Sequence, residues 1–163
     1  MTTNLNSMDF LAHIFWSGIF FNRYKRLIWA IFFGVAPDIF SWGVFLVYRI
    51  FTPPSFFRPP VINDIPSWVF TLYGITHSLV VFSLVALIIY ILKKGIPFFL
   101  FAWSIHIIID IFTHSKFYLS TPFLWPISNW AFPGYSWANP RFMILNYSII
   151  FFIYLWIFFR KER

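Results

Sequence analysis

The sequence predicts an all-α membrane protein, a bundle of about five transmembrane helices that forms one membrane-embedded domain over residues 1–163. Three observations predict it. The chain is 60% hydrophobic and only 10% charged, whereas soluble domains carry about 25% charged residues. Its mean hydropathy is +0.76. Five apolar stretches follow one another along the chain, separated by basic or proline-rich segments, and the length suits a single domain.

The first two stretches differ in length. Residues 10–21 are apolar, but a spanning helix needs roughly 20 apolar residues, so we expect this helix to span only with flanking residues or shielding neighbours. Residues 27–51 are long enough to span. Pro37 lies near their middle and removes a backbone donor, and Asp38 follows it. This pattern is typical of a functional site in the membrane, or of a kinked helix with Asp38 paired to a neighbouring histidine or amide.

The middle of the chain alternates loop and helix. Residues 52–67 hold five of the 11 prolines, which predicts a non-helical loop. Residues 68–92 are predicted as one continuous helix, with Ser67 as its N-cap and Lys93-Lys94-Gly95 as its end. A fourth helix is predicted over about residues 96–114.

The last predicted span follows a long aromatic loop. Residues 115–139 are rich in proline, tryptophan and tyrosine, and these aromatic side chains suit a membrane interface. Asn139 precedes Pro140, which is the pattern of a cap followed by proline at the first helical position. Residues 141–159 then form an apolar helix that ends in a basic tail.

The basic residues predict the topology. The chain has 12 Lys and Arg against 5 Asp and Glu, a net charge of +7. In a membrane protein this excess indicates orientation and contact with anionic lipid, and we expect no direct nucleic-acid binding. With five spans, eight basic residues share one face: Arg23, Lys25, Arg26, Lys93, Lys94, Arg160, Lys161 and Arg163. The positive-inside rule makes that face cytoplasmic, so we expect a multi-pass protein of the inner (plasma) membrane with its N-terminus outside and its C-terminus in the cytoplasm.

Three polar side chains are regularly spaced in the fourth apolar stretch. His106, Asp110 and His114 are spaced i, i+4, i+8, which places them on one face of a helix. Buried polar groups are costly, and a buried ion pair or a metal is the usual solution. The chain has no cysteine, so a metal would need His, Asp, Glu or backbone oxygen ligands.

All four histidines of the chain lie in the half of their predicted helices nearer the outer face, whereas Asp38 lies deeper. This distribution predicts one polar cluster that opens outward. Nitrogen and carboxylate ligands suit a divalent metal, zinc above all, with manganese or iron as alternatives. The candidate metal ligands are His13, Asp38, His77, His106, Asp110 and His114.

Several short motifs occur in a distinctive order. They are Leu11-Ala12-His13, Ala36-Pro37-Asp38-Ile39, Gly74-Ile75-Thr76-His77-Ser78-Leu79, His106-Ile107-Ile108-Ile109-Asp110, Phe112-Thr113-His114 and Phe123-Leu124-Trp125-Pro126. In this order they resemble the small inner-membrane metal-dependent hydrolases, some of which are described as LexA-binding. The resemblance runs from about residue 9 to residue 140.

That resemblance implies a helical membrane protein with a metal site and hydrolase activity. The pattern of histidines and aspartates is also distantly similar to the zinc-dependent phospholipase C and nuclease fold, in which clustered zinc ions cut phosphoesters. The chain differs from many members of the resembled family in two places. Phe40 stands where they have a second aspartate, and Leu72-Tyr73 stands where they have His-Arg.

The main functional hypothesis is therefore a membrane-bound metal-dependent hydrolase that acts on a phosphoester or a lipid-like substrate. His77, His106 and Asp110 would hold the metal. His13 and Asp38 would complete the site or hold a second ion, and Asp38 would be the general base if it is not committed to metal.

Two other hypotheses remain open. In the first, the protein is not catalytic and the histidines and aspartates form a structural metal site or a polar staple between helices. In the second, the protein transports ions, because intramembrane histidine and aspartate often mark ion paths. The nearly apolar character of the cytoplasmic leaflet argues against transport. In every case membrane lipid is the expected partner.

Overall fold

A computed structural model describes residues 9–52, 62–116 and 119–161, and within these ranges the regular elements are all helical. The proline-rich loop predicted over residues 52–67 lies mostly outside them. The helices are α1 (Phe10–Phe20), α2 (Leu27–Asp38), α3 (Val44–Ile50), α4 (Ser67–Thr76), α5 (Leu79–Lys93), α6 (Phe101–Thr113) and α7 (Pro140–Lys161), with a π turn at Ile39–Gly43 and 3₁₀ turns at Ile62–Asp64 and Phe98–Leu100.

Helices α2 and α3 form one continuous helix of 24 residues through the π turn. Pro37 lies inside it, and the wide turn begins directly after Asp38. The Ser41 hydroxyl donates to the Pro37 carbonyl at 2.7 Å, which satisfies that oxygen where the regular helical pattern changes. The helical irregularity expected beside Pro37 is therefore a π turn, a feature often found at functional sites.

The prediction of one continuous helix over residues 68–92 is wrong. The chain breaks between α4 and α5 at His77 and Ser78, and the two helices are bent by 53°. Ser78 adopts an extended conformation, and its hydroxyl oxygen accepts from two amides of the first turn of α5 at 3.1 and 3.2 Å. A serine that satisfies free amides in this way begins a new helix.

Two of the predicted helix ends agree with the structure and one does not. Asn139 caps α7, accepting from the Arg141 amide at 3.0 Å, and α5 ends at Lys93 with Lys94 in the left-handed region at φ 55°. Ser67, predicted as a cap, is instead the first residue of α4 and makes no capping hydrogen bond. The fixed, extended backbone of Pro66 starts that helix (φ −59°, ψ 145°).

The long aromatic loop folds back over the helix ends. The amides of Tyr135 and Trp137 donate to the carbonyls of Phe112 and Thr113 at 2.8 and 2.9 Å, so the loop satisfies acceptors that the end of α6 leaves free. Its Trp125 carbonyl accepts from the Ser78 hydroxyl. The loop therefore stabilises both the break between α4 and α5 and the end of α6.

Helices α1 and α7 run parallel. Near their N-terminal ends the Tyr147 hydroxyl donates to the Asp9 carboxylate, and further along the Tyr154 hydroxyl donates to the Phe15 carbonyl at 3.0 Å. Gly18 makes this approach possible, because a Cβ there would collide with the Tyr154 hydroxyl. Helix α6 packs closely against α2, which also contacts α1.

Two helices in the described part of the chain are long and apolar enough to cross a membrane, Leu27–Ile50 and Pro140–Arg160, and the bent pair α4–α5 counts as a third if it is one span. The apolar helices Phe10–Phe20 and Phe98–Thr113 are shorter. The described part of the chain is thus all-helical, with two or three candidate membrane spans.

The contact between α1 and α2 depends on Gly34, because a Cβ at that position would overlap the Ser17 hydroxyl and lie 2.9 Å from its Cβ. We expect Gly34→Ala to destabilise the protein by about 1–3 kcal/mol, the usual range for overpacking, and to lower Tm in detergent. Gly95→Ala is the control, since nothing lies within 4 Å of its Cβ position. An unchanged Tm for Gly34→Ala would contradict this packing.

Candidate metal centre

Four buried side chains from three helical segments meet in one place. Asp38 ends α2, His77 follows the last residue of α4, and His106 and Asp110 are one turn apart on α6. One ligand atom of each lies within 4.8 Å of the others. All four side chains are at most 2% exposed, so water does not compensate their polarity.

The distances within this group are short. His106 Nε2 lies 3.1 Å from Asp110 Oδ2 and 3.1 Å from His77 Nε2. His77 Nε2 lies 3.3 Å from Asp110 Oδ2 and 3.4 Å from Asp38 Oδ1. Asp38 Oδ1 is farther from His106 Nε2, at 3.9 Å. The two Nε2 atoms therefore face both carboxylates and each other.

A backbone carbonyl fixes the tautomer of His106. Its Nδ1 lies 2.7 Å from the Gly34 carbonyl oxygen. A carbonyl only accepts hydrogen bonds, so Nδ1 carries the hydrogen and the neutral ring has a lone pair on Nε2. This arrangement, with one ring nitrogen anchored by an acceptor and the other bare, is the one in which histidine binds metals.

The ring of His77 is oriented in the same way. Its Nδ1 lies 2.9 Å from Thr76 Oγ1 and 3.2 Å from the Tyr73 carbonyl oxygen. Thr76 donates its own hydrogen to the Leu72 carbonyl at 2.9 Å, so its oxygen accepts from His77. The Tyr73 ring stacks on the imidazole with centroids 3.9 Å apart. The Nε2 lone pair of His77 therefore also points into the cluster.

The two carboxylates add negative charge to this cluster. Neither oxygen of Asp38 or Asp110 receives a hydrogen bond from any described residue, although all four atoms are buried. Two lone pairs on nitrogen and two carboxylates cannot converge without a compensating positive charge. Either a proton on an imidazole or a bound cation supplies that charge.

The spacing suits a cation. Nitrogen and oxygen ligands at 2.0–2.2 Å around a tetrahedral ion are roughly 3.3–3.6 Å apart, and most of the separations here are 3.1–3.4 Å. Asp38, His77, His106 and Asp110 can therefore hold a metal ion. The donor set does not decide which metal it is.

His13 and His114 lie against the other oxygen of Asp110. His13 Nε2 is 3.1 Å from Asp110 Oδ1, and His114 Nδ1 is 3.4 Å from the same atom. The His13 ring also lies over that of His106, with centroids 3.8 Å apart. His13 Nδ1 and His114 Nε2 are buried and have no hydrogen-bond partner among the described residues. All six predicted ligands are thus brought together, with Asp110 between the two groups.

The path of the chain at His114 differs from the prediction. Helix α6 ends at Thr113, and His114 is extended with φ −104° and ψ 125°, so it does not continue the helical face that holds His106 and Asp110. The Tyr135 and Trp137 amides of the aromatic loop pair with the last carbonyls of α6 and fix this end. His114 reaches Asp110 from the loop side.

A small cavity lies beside this second group. Its volume of about 30 Å³ is room for about one water molecule. Its lining consists of Asp9, Ala12, His13, Trp16, Ile109, Asp110, Thr113, His114, Trp137, Phe142 and Asn146. It borders His13, Asp110 and His114, which meet at Oδ1 of Asp110, whereas His77 and His106 lie on the Oδ2 side and do not line it.

Sequence reasoning missed the groups that orient the ligands. The contact between His106 and the Gly34 carbonyl could not be predicted from the sequence, because every residue has a backbone carbonyl. Tyr73 lies four residues before His77 on the helix that precedes it, and that spacing could have indicated a ring contact.

We expect His77→Ala and His106→Ala each to weaken Zn²⁺ or Mn²⁺ binding by at least about tenfold, because even losing a residue that only orients a ligand costs about 10- to 100-fold. Elemental analysis of protein purified in detergent, followed by a competition titration, measures it. Asp64→Asn is the control, since Asp64 is exposed in a 3₁₀ turn. Stoichiometric metal in the His77/His106 double variant would contradict the site.

Comparisons with known proteins do not indicate a function, so a functional assignment depends on the geometry of the site. No protein-family model, no curated protein and no solved structure matches this chain. The resemblance drawn from short motifs therefore remains a prediction.

Proposed function

We propose that this chain is a membrane-bound metal-dependent hydrolase that acts on a phosphoester in a lipid-like substrate. The observation that carries the proposal is the convergence of two bare histidine nitrogens and two carboxylates beside a cavity lined by two further histidines. Convergent polar groups of this kind, next to space for a water molecule, are typical of hydrolytic active sites.

His77, His106 and Asp110 would hold the metal, and zinc suits these nitrogen and oxygen ligands best. When bound, such an ion makes a coordinated water more acidic and polarises the bond to be cut. The chain supplies the orientation, because the Gly34 and Tyr73 carbonyls hold the two imidazoles with Nε2 inward.

Asp38 is the candidate general base. It is the least tightly placed member of the group, 3.9 Å from His106 Nε2, and both of its oxygens lack a donor among the described residues. A carboxylate in this state can accept a proton. The π turn that begins after Asp38 sets this residue at the edge of the regular helix.

The cavity beside His13 and His114 is the side from which a substrate would approach. Trp16, Trp137 and Phe142 are part of its lining, and aromatic side chains at a membrane interface suit an amphipathic molecule. This rim, with the family resemblance, favours a lipid-like ester over a soluble polar one.

A structural metal site is the second candidate, and one observation favours it. Four protein ligands complete a tetrahedral shell, as in structural zinc sites, whereas catalytic sites keep one position open. If all four of Asp38, His77, His106 and Asp110 bind the ion, the cluster joins α2, α4 and α6 without catalysis.

We further propose that the chain crosses the membrane five times, with the short helix α1, the bent pair α4–α5 and α6 as spans beside Leu27–Ile50 and α7. The parallel course of α1 and α7 supports this arrangement, because the first and fifth spans of such a bundle run in the same direction. The positive-inside rule then places the N-terminus outside and the C-terminus in the cytoplasm.

This topology can be tested in a chain without cysteine. We expect a cysteine at Asn129 to react with an impermeant thiol reagent in cells whose inner membrane is exposed and intact. Lys94 is exposed, and the proposed topology puts it on the opposite face, so a cysteine there should react only after the membrane is opened. Labelling of Lys94→Cys but not of Asn129→Cys in intact membranes would reverse the proposed orientation.

For catalysis, we expect Asp38→Asn to lower turnover by about 10²- to 10⁴-fold, the usual contribution of general acid–base catalysis, while the fold survives. Asparagine keeps the size of the side chain but loses its charge. The measurement is the release of headgroup or phosphate from mixed phospholipids and generic phosphodiesters by reconstituted protein with added Zn²⁺.

Trp130→Phe is the matched control, because Trp130 is exposed and is not part of the cavity lining. Equal product from wild type and Asp38→Asn, above a sample without protein, would remove Asp38 from catalysis. Bound metal with no hydrolysis of any ester tried would favour the structural site.

A further inference from the structure

A second cavity lies at the opposite ends of α1 and α7. It has a volume of about 320 Å³ and is lined by Asn22, Arg23, Trp156, Ile157 and Arg160. This volume is at the lower end of the range for small-molecule sites, about 300–1,000 Å³. Two of its five lining residues carry a fixed positive charge. The cavity is therefore large enough and basic enough to take an anion.

Within the described residues, Arg23 and Arg160 have no carboxylate partner. The described part of the chain contains four aspartates. Two of them lie in the metal centre, one caps α1 at its other end and one lies in a 3₁₀ turn, and none lines this cavity. A pair of guanidinium groups without an acidic neighbour among the described residues is suited to an external anion.

Arg160 makes a cation–π contact with Trp156. Its guanidinium lies over the Trp156 ring, 5.1 Å from the centroid. A guanidinium that lies over an indole can still donate hydrogen bonds from the N–H groups at its edge. Two of these parallel N–H groups can bind two oxygens of one phosphate. The cation–π contact thus limits the freedom of Arg160 before any ligand binds.

Both helices end here with carbonyl groups, whose partial negative charge favours cations and disfavours anions. The arginines could therefore serve only to neutralise the helix ends. Two features go beyond that role. Arg23 lies in the loop after α1, outside its last turn, and a cavity of about 320 Å³ lies between the two arginines.

The surroundings indicate the source of the anion. Only 6% of the apolar window of α7 is buried within the protein, so most of this helix is free to contact acyl chains. Trp156 is 60% exposed and lies one turn before Arg160, the usual position of tryptophan near headgroups. A phosphate carried by a lipid can place its acyl chains along α7 while its headgroup enters the cavity.

We propose that the cavity between Arg23 and Arg160 binds the phosphate of an anionic phospholipid headgroup. It is separate from the metal centre, and it lies on the face that the basic residues assign to the cytoplasm, where anionic lipids attract basic segments. This lipid anchors the ends of α1 and α7 together. It is a bound partner and not the substrate of the hydrolase site.

The test is native mass spectrometry of the full chain in detergent with equal amounts of phosphatidylglycerol and phosphatidylcholine. We expect wild type to retain one phosphatidylglycerol in preference to phosphatidylcholine. Each of Arg23→Gln and Arg160→Gln should weaken this binding about fivefold, and the double variant about 30-fold, from about 1 kcal/mol for each basic residue at an anionic surface. The single variants keep the test valid if the double variant does not fold.

Lys25→Gln/Lys93→Gln is the matched control, since it removes two charges from the same face and neither residue lines the cavity. It should bind phosphatidylglycerol like wild type. An equal loss in this control, or equal retention of both lipids by wild type, would overturn the site. Inorganic phosphate at millimolar concentration should not displace the lipid; full displacement would overturn the lipid as source of the anion.

Discussion

The fold depends on how the carboxylate of Asp110 is compensated. This side chain is fully buried, and neither of its oxygens receives a hydrogen bond from a described residue. Burying an uncompensated carboxylate costs several kcal/mol. Helix α6 can therefore pack with Asp110 buried only if a positive charge lies close to this carboxylate. The imidazoles of His77 and His106 face one oxygen, and those of His13 and His114 face the other. Whether a proton or a metal supplies the charge, the same atom group joins α1, α4 and α6.

Irregular backbone places the ligands around that carboxylate. The π turn follows Asp38, the break follows His77, and α6 ends one residue before His114. Each interruption leaves backbone groups that need partners in an apolar environment. The Ser41 hydroxyl, the Ser78 hydroxyl, the Trp103 indole and the amides of the aromatic loop supply them. The loop therefore belongs to the site as much as the helices do, because without it the ends that present His77 and His114 would have unsatisfied backbone groups.

The two ends of the α1–α7 pair are chemically different. One end holds the histidines, with the Asp9 carboxylate bonded to Tyr147, and the other holds Arg23 and Arg160 around a cavity. This polarity follows the distribution of charge along the sequence. One end thus has polar groups suited to a divalent cation, and the other has two cationic side chains.

The sequence by itself determined the helical class, the cap at Asn139, the end of α5 and the identity of the side chains in the cluster. Periodicity, hydropathy and capping are local properties, and histidine or aspartate in an apolar segment signals a need for partners wherever those partners lie. Only the tertiary structure decided that the helix over residues 68–92 breaks at Ser78, that His114 lies outside α6, and that the Gly34 carbonyl orients His106. These features depend on contacts between residues far apart in the chain, such as Ser78 with Trp125 and His106 with Gly34, and no local pattern encodes a backbone carbonyl as a partner.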